Sequence, residues 1–267
     1  MLDMRVFRSY AVFSFAIALA ASAQAGPSDK ARVSFVSGGG LEEGVYRAAI
    51  VIDLAPDTTT YWRNPGEAGS PPSFDFSASV NLAGFDVAMP APKRIVEAGL
   101  DVFGYHDRVA FAVTVTPKDA SKPVVAALKM DYAACEKICV PMHAEAHLEL
   151  APAGGAGANA AVVAAARAAL PKPVALEAVA TLAPVAGADK PTWTVTPKTG
   201  EALDLFAETP EGYFAETKRG PDGAFRLALV EAPKDAALPR APVRLTLAKA
   251  SGAVEFSVRL DEGRGSP

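Results

Sequence analysis

The 267-residue chain holds two cysteines, and they stand four residues apart in Cys135-Glu136-Lys137-Ile138-Cys139. Such a pair admits three chemistries: an inert structural disulfide, a disulfide that exchanges with partner thiols, or part of a metal site. Upstream, residues 124–134 read as a strand. Downstream, Ala144, Ala146, Leu148 and Leu150 alternate with His143, Glu145, His147 and Glu149, the two-residue period of another strand. Residues four apart on a straight strand lie roughly 13 Å apart, whereas a disulfide needs Cα atoms within about 7 Å. If the bridge forms, the chain must reverse through residues 136–138, with one cysteine on each arm of a tight hairpin.

A five-residue loop is a poor staple. In the chain-entropy picture its closure stabilises by about 2 kcal/mol, against about 4.7 kcal/mol for a hundred-residue loop. The short loop does keep the second thiol beside any mixed disulfide, where it can resolve it at high effective concentration. Lys137 favours a thiolate and Glu136 opposes one, so the sign of any shift in thiol acidity is not readable. For metal, Cys135, Cys139, His143 and His147 recur every four residues and would share one face of a helix, with zinc or copper as the fitting ions. The alternation after His143 favours a strand instead, and there the two histidines stand roughly 13 Å apart. The residues alone leave exchange, structural bridge and metal site open.

The elements that must position this pair read as β-structure. Tyr46, Ala48, Ile50, Ile52 and Leu54 alternate with Arg47, Ala49, Val51 and Asp53, and Val109, Phe111, Val113 and Val115 repeat the pattern, as do Phe85, Val87 and Met89. That is the signature of half-buried strands, and the clusters Asn64-Pro65-Gly66 and Pro71-Pro72 break them with turns. The expected fold is all-β: two immunoglobulin-like sandwiches, residues 26–150 and 173–262, with a barrel as the alternative for the first. Residues 151–172 read as a flexible Gly/Ala-rich linker and one short Ala-rich helix ended by Pro171 and Pro173, so that the two sandwiches should be separable there. The second block has neither Cys nor His and reads as a packing or docking unit; residues 263–267 form a tail.

The first 25 residues read as an address. Arg5 and Arg8 precede an apolar run from Tyr10 to Ala20, and Ala23-Gln24-Ala25 offers a cleavage site after Ala25, the pattern of a secretory signal peptide. Export permits disulfides. No later segment has the roughly 18 apolar residues of a membrane span. A formal net charge of −4 with no Lys/Arg cluster argues against nucleic acid and against an anionic membrane surface.

Tyr61-Trp62-Arg63-Asn64-Pro65-Gly66-Glu67-Ala68-Gly69-Ser70-Pro71-Pro72 resembles the signature loop of the amino-terminal periplasmic region of the DsbD/ScsB thiol:disulfide interchange proteins. The run from Asp131 to Pro141 resembles that family's cysteine motif, and Asp101-Val102-Phe103-Gly104-Tyr105 is similar to its cap loop. The match is close over residues 33–150 and looser over 158–262, where ScsB-like chains also carry a second sandwich. The resemblance implies that Cys135 and Cys139 are the redox-active pair, that Phe103 caps the bridge, and that Asp101 and Tyr105 support it. It implies no cofactor and no metal. Reducing equivalents would come from a membrane-embedded thiol relay through thioredoxin-like periplasmic partners, and would pass to periplasmic proteins. Family members fuse this region to a membrane domain and a thioredoxin-like domain that this sequence lacks, so those partners are expected to be separate chains. The rival readings are a non-catalytic periplasmic adaptor with a structural disulfide and a copper- or zinc-binding protein.

Overall fold

In the first half of the chain, alternating apolar residues build two facing sheets. The structure is a computed structural model that describes residues 30–234 and 238–261; the expected signal peptide and tail lie outside them. The first sheet contains β1 (Ala31–Ser37), β2 (Tyr46–Leu54), β5 (Leu82–Ala88) and β8 (Arg108–Pro117), in the order β1-β2-β8-β5. The second contains β3 (Thr59–Gly66), β4 (Ser73–Asp75), β6 (Lys93–Glu97), β7 (Leu100–His106), β9 (Val124–Cys135) and β10 (Cys139–Leu150). Its order is β10-β9-β3-β7-β6, with β4 also on β9. Between the sheets lie Tyr46, Ile50, Ile52, Trp62, Phe111, Leu128 and Met130, all fully buried. The edge strand β10 presents His143, Glu145, His147 and Glu149 to solvent, charges and polar groups that discourage pairing with another chain.

Residues 151–172 are less free than their composition suggests. Gly39 forms a β-bridge with Ala156, and the Gly157 N–H donates to Gly38 O at 2.9 Å. A side chain at Gly40 would run into the backbone of Gly154, so glycines on both segments permit the close approach. The helix α1 (Ala160–Ala168) then lies on the outer face of the first sheet, burying Val163 and Ala166 against Ala49, Val51 and Ala112. For this reason β2 is buried on both faces, not one as its alternation suggests.

The remaining elements are β11 (Lys172–Pro173), α2 (Leu176–Val179), β12 (Ala180–Pro184), β13 (Thr192–Pro197), β14 (Ala202–Glu208), β15 (Phe214–Arg219), β16 (Phe225–Glu231), β17 (Val243–Lys249) and β18 (Gly252–Val258). They make two four-stranded sheets, β11-β18-β17-β14 and β12-β13-β16-β15, around Trp193, Phe225, Leu227, Leu245 and Phe256. The architecture is thus two β-sandwiches with two short helices, as the sequence pattern indicates. Among the described residues no helix is long and apolar enough to cross a membrane.

The second sandwich inserts a residue into the first. Phe206 on β14 joins the first core, with its ring edge-on to Trp62 and Phe103 at centroid distances of 5.9 and 5.0 Å. Around it, Arg63 makes a two-pronged bond to Glu208 and a third bond to Glu255, while Arg94 forks onto Asp204 and also reaches Asp101 and Thr217. Arg63 lies over the Trp62 ring and Arg94 over the Phe103 ring. Planar guanidinium groups suit such paired bonding and stacking.

Candidate redox site

The two cysteines end one strand and begin the next. β9 and β10 pair antiparallel in continuous register, with Cys135 directly opposite Cys139. Their Cα atoms are 4.0 Å apart and the sulfurs are bonded, the hairpin geometry that the spacing requires. The two sulfurs are not equivalent. Cys135 is 2% exposed, whereas Cys139 and residues 136–138 face solvent. Glu136 is drawn to Lys30, 3.1 Å away.

The sulfurs lie against a phenol. Tyr61, on β3, places its hydroxyl 2.9 Å from Cys135 Sγ and 3.2 Å from Cys139 Sγ, and donates to Glu97 Oε2 at 2.8 Å. Burial pushes the Tyr61 phenol well above its ordinary pKa of 10, and the bond to Glu97 and the carboxylate charge add to the shift. The group therefore stays protonated and acts as a donor. One proton cannot serve three acceptors. A disulfide sulfur is a weak acceptor beside a carboxylate, so the proton points at Glu97 in this oxidised state.

Local sequence explains both placements. Tyr61 leads the run Tyr61-Trp62-Arg63-Asn64-Pro65-Gly66. Trp62 turns into the core, and Tyr61 turns to the opposite face with Val102, Ala133 and Cys135. The Asn64 carboxamide accepts from the Gly66 N–H and donates to Ala207 O. Gly69, at φ +98°, lies against the Tyr61 ring where any Cβ would fall within 2.6–2.8 Å of its carbons. The loop after β3 can thus fold down onto the tyrosine only because that position is glycine. Glu97 ends β6, and Ala98 and Gly99 follow at φ 52° and 85°, the two left-handed residues of a tight hairpin turn into β7.

That hairpin replaces the expected cap loop. Residues 100–106 are the regular strand β7, paired with β6 and β3. Phe103 is 4% exposed and packs with Phe206 and Arg94 in the first core. It does not join the cluster around Cys135. Strand alternation is the reason: Val102 faces the bridge, so Phe103 must face away. Asp101 pairs with Arg94 at 2.8 Å. Tyr105 is buried, and its hydroxyl donates to Pro90 O. Of the residues singled out from sequence, the structure brings together Cys135 and Cys139, and the acid beside them is Glu97. The sequence does not mark Tyr61 or Glu97 as site residues. Tyr61 was visible only as the first residue of the signature loop, and nothing near Glu97 in sequence marks its role. The histidines stand apart, His143 being held by Asp131 on β9 at 2.8 Å.

The family profile for the N-terminal region of thiol:disulfide interchange protein DsbD matches residues 23–151. In fold, the chain is similar to the N-terminal periplasmic domain of ScsB from Proteus mirabilis, with a TM-score of 0.67 and 18% identity, over 89% of this chain and 95% of that one. The DsbD N-terminal domain of Neisseria meningitidis in its reduced form aligns over 46% of this chain, at 15% identity and a TM-score of 0.27. No curated protein matches the chain in sequence. Residues 23–151 thus match the N-terminal domain of a thiol–disulfide interchange family, and they enclose the bridge, Tyr61 and Glu97; the fold they form with the rest of the chain is like that of the ScsB periplasmic domain.

Proposed function

We propose that the protein is a periplasmic dithiol carrier that passes reducing equivalents between thioredoxin-like partners, fed by a membrane-embedded thiol relay, and periplasmic proteins. One observation carries this reading: an exposed cysteine, Cys139, is bonded to a buried one, Cys135, with a protonated phenol in contact with both sulfurs.

In the direction of reduction, a partner thiolate attacks Cys139 Sγ, the sulfur of the exposed residue. The S–S bond breaks, and its electron pair leaves on Cys135 Sγ. The Tyr61 hydroxyl then turns from Glu97 to the new thiolate, a far better acceptor than a disulfide sulfur. A second partner thiolate attacks the partner's own sulfur in the mixed disulfide. Cys139 is released as a thiolate, and the partner leaves oxidised. In the other direction, Cys139 attacks a substrate disulfide and Cys135 resolves the mixed disulfide from across the hairpin. The exposed apolar residues Ile138, Val96 and Leu100, 74%, 70% and 43% exposed, sit on the two hairpins that meet at the bridge and supply dry contact for a docking partner.

The test is trapping. Cys135→Ser keeps the accessible thiol and removes the resolving one, so it should accumulate mixed disulfides with periplasmic thioredoxin-like proteins; Cys139→Ser should accumulate few. Equal trapping by both, or by neither, contradicts the assignment.

A further inference from the structure

Three ligand-type atoms meet at the bridge. Cys135 Sγ, Cys139 Sγ and a carboxylate oxygen of Glu97 lie within 4.8 Å of one another, the one such group among the described residues. We propose that the reduced Cys135/Cys139 pair, with Glu97, is a binding site for a borderline-soft divalent cation of the Zn²⁺ type, closed when the disulfide forms.

The chemistry of the donors selects the ion. Two thiolates and one carboxylate suit Zn²⁺ or Cd²⁺, whereas Mg²⁺ and Ca²⁺ demand oxygen ligands throughout. A tetrahedral zinc with Zn–S bonds of about 2.3 Å holds its two sulfurs roughly 3.8 Å apart. Directly opposed cysteines in a hairpin, with Cα atoms 4.0 Å apart, reach that separation by rotating their side chains once the S–S bond is gone. Glu97 already lies beside the sulfurs. In the disulfide form the Tyr61 hydroxyl contacts Glu97 Oε2 and both sulfurs. It turns aside as the ion takes the thiolates, and a hydrogen bond from it to the carboxylate oxygen that does not bind the ion would then orient Glu97, the usual service of a group behind a metal ligand. Cys139 lies on the solvent side, so the fourth position is open to water. Up to two thiol protons pass to solvent on binding, and no electron moves. A loaded pair cannot attack a disulfide, so the cation and the exchange partner compete for the same two sulfurs.

This inference rests on the exchange reading to the extent that the bridge must open. The experiment reduces the full chain with a phosphine, removes the reductant without oxygen, counts free thiols, and titrates Cd²⁺ by thiolate charge-transfer absorbance and Zn²⁺ by competition. Two thiols per chain and one ion per chain are expected, with no binding by the oxidised protein. Glu97→Gln should weaken binding at least about tenfold, with Glu97→Asp retaining more affinity than Gln; Cys139→Ser should abolish it. Two free thiols without metal binding would overturn the site and leave exchange untouched. Unchanged affinity in Glu97→Gln, or one ion shared by two chains, would overturn the three-ligand site. A bridge that yields no thiols would remove both readings.

Discussion

The Phe103 ring meets the Phe206 ring edge-on, with centroids 5.0 Å apart, and so ties β7 of the first sandwich to β14 of the second. Arg94 lies over both rings. Phe103 is thereby a core residue on the face of the sheet away from the bridge. Phe103→Ala should cost about 3–5 kcal/mol in urea unfolding, the range for a buried phenylalanine, and leave the rate of bridge reduction by dithiothreitol nearly unchanged. Fast reduction with little loss of stability would restore a capping role.

Tyr61 makes the opposite forecast. Its hydroxyl contacts both sulfurs, and in the proposed exchange it donates to the departing Cys135 thiolate. A hydrogen bond to a charged group contributes about 1.5–3 kcal/mol, so Tyr61→Phe should slow reduction by a small thiol by about tenfold or more. Stopped-flow traces that overlay the unaltered protein would remove Tyr61 from the chemistry.

The hairpin at the cysteines was legible because strand geometry leaves a four-residue cysteine spacing one way to close. The alternation in residues 46–54, 109–115 and 143–150 likewise named strands that the fold contains. The strand β7 was harder. Its glycine at position 104 and the turn glycine at 99 mimic a loop, yet Gly104 is there because a side chain would collide with Thr60 O across the ladder. Glycine in a strand often marks such close approach. The Tyr61–Glu97 contact joins residues 36 apart through a shared sheet, and no local period reports that. Nor does period 2 foretell that Phe206 enters a core built by another sandwich.

The interface makes its own forecast. Arg94 forks onto Asp204 with both side chains about one-fifth exposed. Asp204→Ala removes charge-assisted bonds from a guanidinium that keeps Asp101, and should lower stability by about 1–3 kcal/mol. Chemical denaturation that shows no shift in midpoint would mean that the fork is solvated as easily as it is paired.

On the exposed edge, Asp131 from β9 and Glu145 from β10 hydrogen-bond His143 and raise its pKa above 6.5, while Lys129 sits 3.9 Å from Glu145. A folded-state pKa above the unfolded one means that the pair's stabilisation is complete below the unfolded value. It is lost as pH rises through the folded value. Melting temperature should therefore fall slightly more between pH 6 and 8 in the unaltered protein than in His143→Gln. Parallel profiles would show that the contact has no thermodynamic weight.

The reduction potential of the Cys135–Cys139 pair, measured by equilibration with glutathione or dithiothreitol buffers, bears most directly on whether the bridge is a reagent or a staple. A solvent-facing Cys139 in a five-residue loop should give a potential above about −300 mV, with two electrons per chain. A potential below about −300 mV would mark the bridge as structural and contradict the dithiol carrier.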